Sequence, residues 1–347
     1  MIFMFDSNLH IKLFNRLIFI LFLVFFIIPF NGISQSTEVV AEKGEGIYRL
    51  LSRNGLSVTD NMESFIELNK SNLGRNNTLI EGRKYVLPTG TGTSEGKSLS
   101  KGKTMRFDIF GEKYADVEIT SSELNGAIYY LIAGHGGPDP GAMANYSNHP
   151  ICEDEYAYDV TLRLARNLIS EGAKVYMITT DKNDGIRDEA YLRPDKDEVC
   201  YPNLTMPLNQ IKRLRQRTDA VNKLYGENRG SFQRMIAIHV DSRSQGENID
   251  VFFYHDKRSE TGEKACRILQ KTFQQKYDEH QPGRGYNGTV SDRGLYVLRN
   301  TYPPAVYIEL GNVNHQRDIQ RLIRYDNRQA VANWLTQGLI TDFKTNK

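Results

Sequence analysis

Two histidines and two glutamates of this chain fall where alternating strands and helices would bring them together. His135 sits in "LIAGHGGPDPGA", directly after the apolar run "AIYYLI"; His239 ends "MIAIH", Glu309 ends "AVYIE", and Glu153 opens a long helical pattern. Two imidazoles and one carboxylate are a donor set suited to zinc, and a set that leaves a fourth position open marks a catalytic rather than a structural site. A further carboxylate that makes no metal bond can carry protons. The glycines at 134, 136 and 137 let the backbone turn without Cβ clashes and let a substrate approach the His135 ring. A phosphate cradle is disfavoured, because "GHGGPDPGA" has neither the G-x-x-x-x-G-K-S/T spacing nor a lysine. Among the other histidines, His149 lies four residues before Glu153 and is the spare ligand. His255 ends the run "VFFYH" and could line the cleft, and His280 and His315 fall in polar turns.

The elements that must position these residues begin near residue 105. "AIYYLIAG" and "AKVYMITTD" read as buried strands flanking the helical pattern "DVTLRLARNLISEG", in which Val160, Leu164 and Leu168 share one face and Gly172 supplies the stop. There follow a helix "LNQIKRLRQRTDAVNKLYG", strands "RMIAIHVDS" and "IDVFFYHD", and a helix "SETGEKACRILQKTFQQKY". Strands "GLYVLR" and "AVYIELGNV" and a helix from about Asp318 to Leu339 complete the pattern. Such alternation predicts an α/β fold, a single twisted mixed sheet flanked by helices on both faces, with its chemistry at the carboxyl ends of the strands. Between "MITTD" and "IKRLRQR" lies an insertion over 181–210, longer than a simple connection and readable as a gating lid or as a decorated surface loop. It opens like a calcium loop, "DKNDG", but Gly185 falls at loop position five and Leu192 at position twelve, so the EF-hand pattern fails.

The chain has 347 residues, 25% charged and 39% hydrophobic, with 44 Lys and Arg against 42 Asp and Glu. A net charge of +2 lacks the electrostatic footprint of a nucleic-acid binder, and the basic run "IKRLRQR" reads as a solvated helix face. Residues 1–34, with "KLFNR" before "LIFILFLVFFIIPF" and then "NGISQS", read as a secretory signal peptide cleaved near Ser34 or Gln35. The expectation is a secreted or periplasmic protein with no stable membrane insertion after cleavage; a retained membrane anchor is the alternative. Three cysteines are too few for a disulfide framework. Cys152 and Cys200, both in loop-like sequence, are the candidates for one bridge; three inert buried thiols including Cys266 are the alternative. Residues 89–104, "TGTGTSEGKSLSKGKT", form a flexible linker. The "GTSEG" inside it matches a serine-hydrolase pattern by accident, since no strand or helix can form around Ser94.

Residues 37–88 read as a β-α-α-β unit of about fifty residues, with an amphipathic "IYRLLSRNG", a helix "NMESFIELNK" and a closing strand "RKYVLP". "VVAEKGEGIYRLLSRNGLSV", "ELNKSN" and "LIEGRKYVLP" resemble a LysM module, which implies binding of N-acetylglucosamine polymers, although Gly46 and Ile47 stand where such modules often carry a hydroxyl residue and a leucine or tryptophan. Across residues 127 to 341, within an expected catalytic domain of 105–347, "GHGGPDPGA", "CEDEYAYDVTLRLARNLISEGAKVYM", "IAIHVDS" and "PPAVYIELGNVNH" occur in order and resemble the zinc-dependent N-acetylmuramoyl-L-alanine amidases of the amidase 3 type.

That resemblance implies hydrolysis of the amide between muramic acid and L-alanine, with peptidoglycan as partner and a protein activator as a further candidate. It makes His135, Glu153 and His239 the Zn2+ ligands and Glu309 the catalytic carboxylate. Two departures matter. The family's Asp-Pro before Gly-His is replaced by Ile132 and Ala133, which removes a carboxylate able to orient the ring, so another group must supply that hydrogen bond. Glu153, Asp154 and Glu155 all crowd the helix start, and Glu155 rivals Glu153 as ligand. A catalytically dead cell-wall binder and a zinc peptidase cutting within the stem peptide are the competing readings.

Overall fold

A computed structural model describes residues 37–42, 45–54, 56, 58–74, 77–88, 103–241 and 250–347. The signal segment and nearly all of the linker read from the sequence lie outside the described residues. No helix among the described residues is long and apolar enough to cross a membrane. The chain divides into two compact units, 1–96 and 97–347.

In the first unit the order is β1 (Glu38–Val40), α1 (Ile47–Arg53), α2 (Val58–Leu68) and β2 (Lys84–Val86). β1 and β2 pair antiparallel, and Leu50, Leu51, Phe65 and Tyr85 are fully enclosed between helices and strands. The Asn69 side chain stitches the end of α2 to β2, donating to the Val86 carbonyl at 2.8 Å and accepting from the Val86 N–H at 2.7 Å.

The second unit begins with an antiparallel ribbon of β3 (Thr104–Arg106) and β4 (Asp116–Glu118). Its main strands are β5 (Ala127–Ala133), β8 (Lys174–Met177), β12 (Phe232–Asp241), β13 (Phe252–His255), β14 (Val290–Asp292) and β15 (Ala305–Asn312), in the order β14-β13-β15-β12-β5-β8. β8, β5, β12 and β15 run parallel, whereas β13 runs antiparallel to β15, so the sheet is mixed. Every residue of β5 is buried, as a strand covered on both faces requires. On one face lie α3 (Glu153–Ser170), α5 (Glu260–His280) and α8 (Tyr325–Asn346), and on the other α4 (Gln210–Glu227) and α6 (Tyr296–Asn300). Two small pieces sit at the carboxyl edge: a hairpin of β6 (Met143–Tyr146) with β7 (His149–Cys152), and a three-strand patch of β9 (Thr179–Thr180), β10 (Val199–Cys200) and β11 (Leu204–Thr205).

The structure departs from the sequence reading in four places. "GLYVLR" is not a strand: Tyr296–Asn300 is helical, because consecutive Val297 and Leu298 both face the core against α4, which a period of two cannot do. The C-terminal helix is two, α7 (Gln316–Ile323) and α8, separated at Arg324, whose backbone is extended. The Leu322 carbonyl next to the break is taken by Arg328 Nη1 at 2.7 Å. Cys152 and Cys200 form no bridge; all three cysteines are buried thiols, and burial pushes Cys152 and Cys200 up to about 11. The basic run "IKRLRQR" is a solvated face only in part, since Lys212 and Arg215 are exposed but Arg213 and Arg217 are buried.

Candidate metal centre

Parallel pairing decides which strand ends meet. β5 and β12 are neighbours, with Ala133 opposite Ile238 and the Gly134 N–H donating to the Ile238 carbonyl at 2.7 Å. His135 therefore emerges one residue past the pairing, beside His239, and their ring centroids lie 5.0 Å apart at 78°. β12 also pairs with β15 with His239 opposite Glu309. Both residues continue the alternation of Ala237 and Tyr307, which belong to one core, so they occupy the same face of the sheet. Tyr307 stacks on the His239 ring at 4.3 Å and 17°, fixing its plane.

Glu153 arrives from the first turn of α3. Its Oε1 is 2.8 Å from His239 Nδ1 and accepts from the Val240 N–H at 3.0 Å; its Oε2 is 3.2 Å from His135 Nε2 and accepts from the Ala142 N–H at 2.8 Å. One ligand atom each from His135, Glu153 and His239 lies within 4.8 Å of the others, the arrangement of a candidate metal-binding group. Burial alone would raise the Glu153 carboxyl, but hydrogen bonds to both histidines outweigh it and hold it well below the usual carboxylate range. Burial lowers His239, against the pull of Glu153. Burial would lower His135 too, but the hydrogen bonds of Asp139 and Glu153 raise it to about 10.

Glycines make room for this convergence. A Cβ on Gly134 would lie 2.4 Å from His239 Nδ1, and one on Gly141, at φ +70°, would lie 2.6 Å from Glu153 Oε2. His135 itself takes a left-handed φ of 59°, and Arg217, reaching over from α4, donates to its carbonyl.

Asp139 was not among the residues singled out from the sequence. Its Oδ2 is 3.1 Å from His135 Nδ1 and accepts from Arg213 Nη2 at 2.6 Å, and its Oδ1 accepts from the Gly141 N–H at 3.2 Å. It supplies the ring-orienting carboxylate missing before Gly134. The signal was present as Asp139, four residues past His135, and as two arginines four apart on one helix.

Glu155 turns away from the histidines: its Oε2 accepts from Arg187 Nη2 at 2.9 Å and its Oε1 from the Asp195 N–H at 3.0 Å. His149 stacks on Tyr191 at 3.8 Å and is not in the histidine cluster. His255 Nδ1 lies 3.1 Å from the Asp256 carbonyl, and His280 stacks on Trp334. The insertion is not a surface decoration. Its Ile186, Leu192, Val199 and Cys200 are buried, and Glu198 Oε2 accepts from the Gly137 N–H of the histidine loop at 2.5 Å.

The fold and site define an α/β protein with a three-donor group at the carboxyl edge of its sheet. Residues 130–341 match the family model described as N-acetylmuramoyl-L-alanine amidase, and the chain belongs to that family. It is 25% identical over 238 residues to the probable cell wall amidase LytH of Staphylococcus aureus, covering 65% of this chain and 61% of that protein, under two thirds of the relative's length. Among solved structures, an N-acetylmuramoyl-L-alanine amidase from Clostridium difficile 630 matches with a TM-score of 0.48 at 17% identity, over 64% of this chain and 100% of that one. The CwlD amidase of Clostridioides difficile, solved in complex with the GerS lipoprotein, matches with a TM-score of 0.47 at 18% identity, over 63% and 99%.

Proposed function

We propose that the chain is a zinc-dependent N-acetylmuramoyl-L-alanine amidase that cleaves the bond between muramic acid and the L-alanine of the peptidoglycan stem. The observation that carries this reading is the convergence of His135, Glu153 and His239 on one point, beside Glu309 on the neighbouring strand, in a chain of this family. The donor set fits zinc: two imidazoles, one carboxylate held ionised, and glycines at the two places where a side chain would fill the space. His135, Glu153 and His239 would hold the ion, which when bound supplies a Lewis acid to polarise the scissile carbonyl and acidify water. Glu309 accepts the proton of the attacking water on its carboxylate and delivers it to the leaving amine of L-alanine. Asp139, locked by Arg213, keeps His135 Nδ1 engaged and so leaves Nε2 toward the ion.

The β-α-α-β unit supports a LysM-like role in gripping glycan strands, and the leading apolar segment supports secretion into the cell envelope. Digestion of purified sacculi, with and without a chelator, tests the reading by mass analysis. The expected products are intact sugar strands and peptides with a free L-alanine amine, abolished by chelation and restored by zinc. Cleavage within the peptide instead would make the protein a peptidase, and a zinc-free, inactive protein would make it a binder. Asp139→Asn is expected to weaken zinc binding by about 10- to 100-fold, read by competition with a chelating dye. An unchanged affinity would remove Asp139 from the support of the site.

A further inference from the structure

Three consecutive acidic residues open α3, and the histidines use only the first. Asp154 and Glu155 converge instead with Glu198 of the insertion, each offering a carboxylate oxygen within 4.8 Å of the other two. All three are enclosed, at 2%, 3% and 5% exposure. Among the described residues Arg187, on Glu155, is the one cation in contact. Asp154 Oδ1 accepts from the Glu155 N–H at 2.9 Å, whereas its Oδ2, fully buried, has no hydrogen-bond partner. Buried carboxylates at this range must be neutralised by protons or by a cation, and an acceptor with open lone pairs in a protein interior calls for a partner. Asp181 and Asp195 of the same insertion add to the negative potential felt by Glu198.

We propose that Asp154, Glu155 and Glu198 form a second cation site, separate from His135, Glu153 and His239, that takes a hard divalent ion of the calcium class. The donors are carboxylate oxygens alone, with no nitrogen or sulfur, the chemistry that selects calcium over zinc, and their spacing suits metal–oxygen distances of about 2.3–2.6 Å. The site joins the first turn of α3 to the far end of the insertion. Because Glu198 also accepts from the Gly137 N–H, a bound ion ties both to the loop that carries His135. The surplus carboxylates and the long insertion thus share one role, clamping the carboxyl edge of the sheet.

The test uses the full-length chain, stripped of metal, reloaded with one equivalent of zinc and titrated with calcium chloride by calorimetry while the thermal midpoint is followed. One calcium per chain and a raised midpoint are expected. Glu198→Gln and Asp154→Asn, each preserving shape, are each expected to weaken calcium binding by at least about 10-fold and to remove the midpoint shift, while the zinc content of Glu198→Gln stays at one. Asp195→Asn, which keeps the backbone N–H that binds Glu155, is expected to retain calcium. The proposal falls if the zinc-loaded chain takes up no calcium, if both cluster variants bind as the parent does, if binding is lost at Asp195 alone, or if a second zinc outcompetes calcium. None of these outcomes bears on the zinc reading, which rests on the first equivalent and on the products from sacculi.

Discussion

Glu309→Gln is expected to cut turnover on purified peptidoglycan by about 10²- to 10⁴-fold while zinc content and thermal midpoint stay at the parent's values. The amide has the carboxylate's shape but cannot take a proton from water at neutral pH. Glu309 is 4% exposed and sits opposite His239, at the last pair of the parallel ladder before its register shifts, so the substitution changes chemistry at a fixed place. A fall of that size is about 3–5 kcal/mol of transition-state stabilisation, the range that separates a proton carrier from a binding contact. Near-normal rates would move the proton transfer to another group. Loss of zinc together with activity would instead make Glu309 a support of the ligands.

Asp159→Ala is expected to lower stability by about 3–5 kcal/mol, measured by denaturant unfolding. Asp159, on α3 six residues past Glu153, is fully buried and takes Arg163 Nε at 2.8 Å, Arg328 Nε at 2.6 Å and the Arg187 N–H at 2.8 Å. The arginines then hold the carbonyls of Arg187, Glu189 and Leu322. Removing the carboxylate takes the anion from the buried Arg328 guanidinium and leaves Arg163 with Asp188 alone, and the cost is a large part of the about 5–15 kcal/mol that holds a typical domain together. The same network seats the insertion and α8 on the helix that presents Glu153. A loss below about 1 kcal/mol would mean that water reaches the arginines once the carboxylate is gone.

Much of this site was legible without coordinates. A buried strand is an apolar run that stops where the chain must turn, so "AIYYLI", "MIAIH" and "AVYIE" announced their own carboxyl ends and the polar residues on them. Parallel packing then brings such ends to one edge of a sheet, which is why His135, His239 and Glu309 share it. The short helix at Tyr296–Asn300 was hidden because five residues hold too little of either period to separate a turn of helix from a strand. The inner roles of Arg213 and Arg217 were hidden for a different reason. A basic helix face looks solvated until the acidic or carbonyl partner is known, and Asp139 lies 74 residues away from Arg213.

The amino-acid order by itself determined which donors reach the carboxyl edge, because strand ends follow from local hydrophobicity and glycine placement. It could not determine how the three acids at the start of α3 divide their work. Successive residues of a helix point about 100° apart, and each direction meets whatever distant segment packs there. Tertiary structure turned Glu153 to the two histidines, Glu155 to Arg187, and Asp154 toward Glu198. It also chose Asp139 and Arg213 to orient His135 where the residues before Gly134 carry no charge. Arg187 and Glu198 come from the insertion and Arg213 from α4, and only the closed fold brings them to the acids of α3 and to Asp139 in the histidine loop.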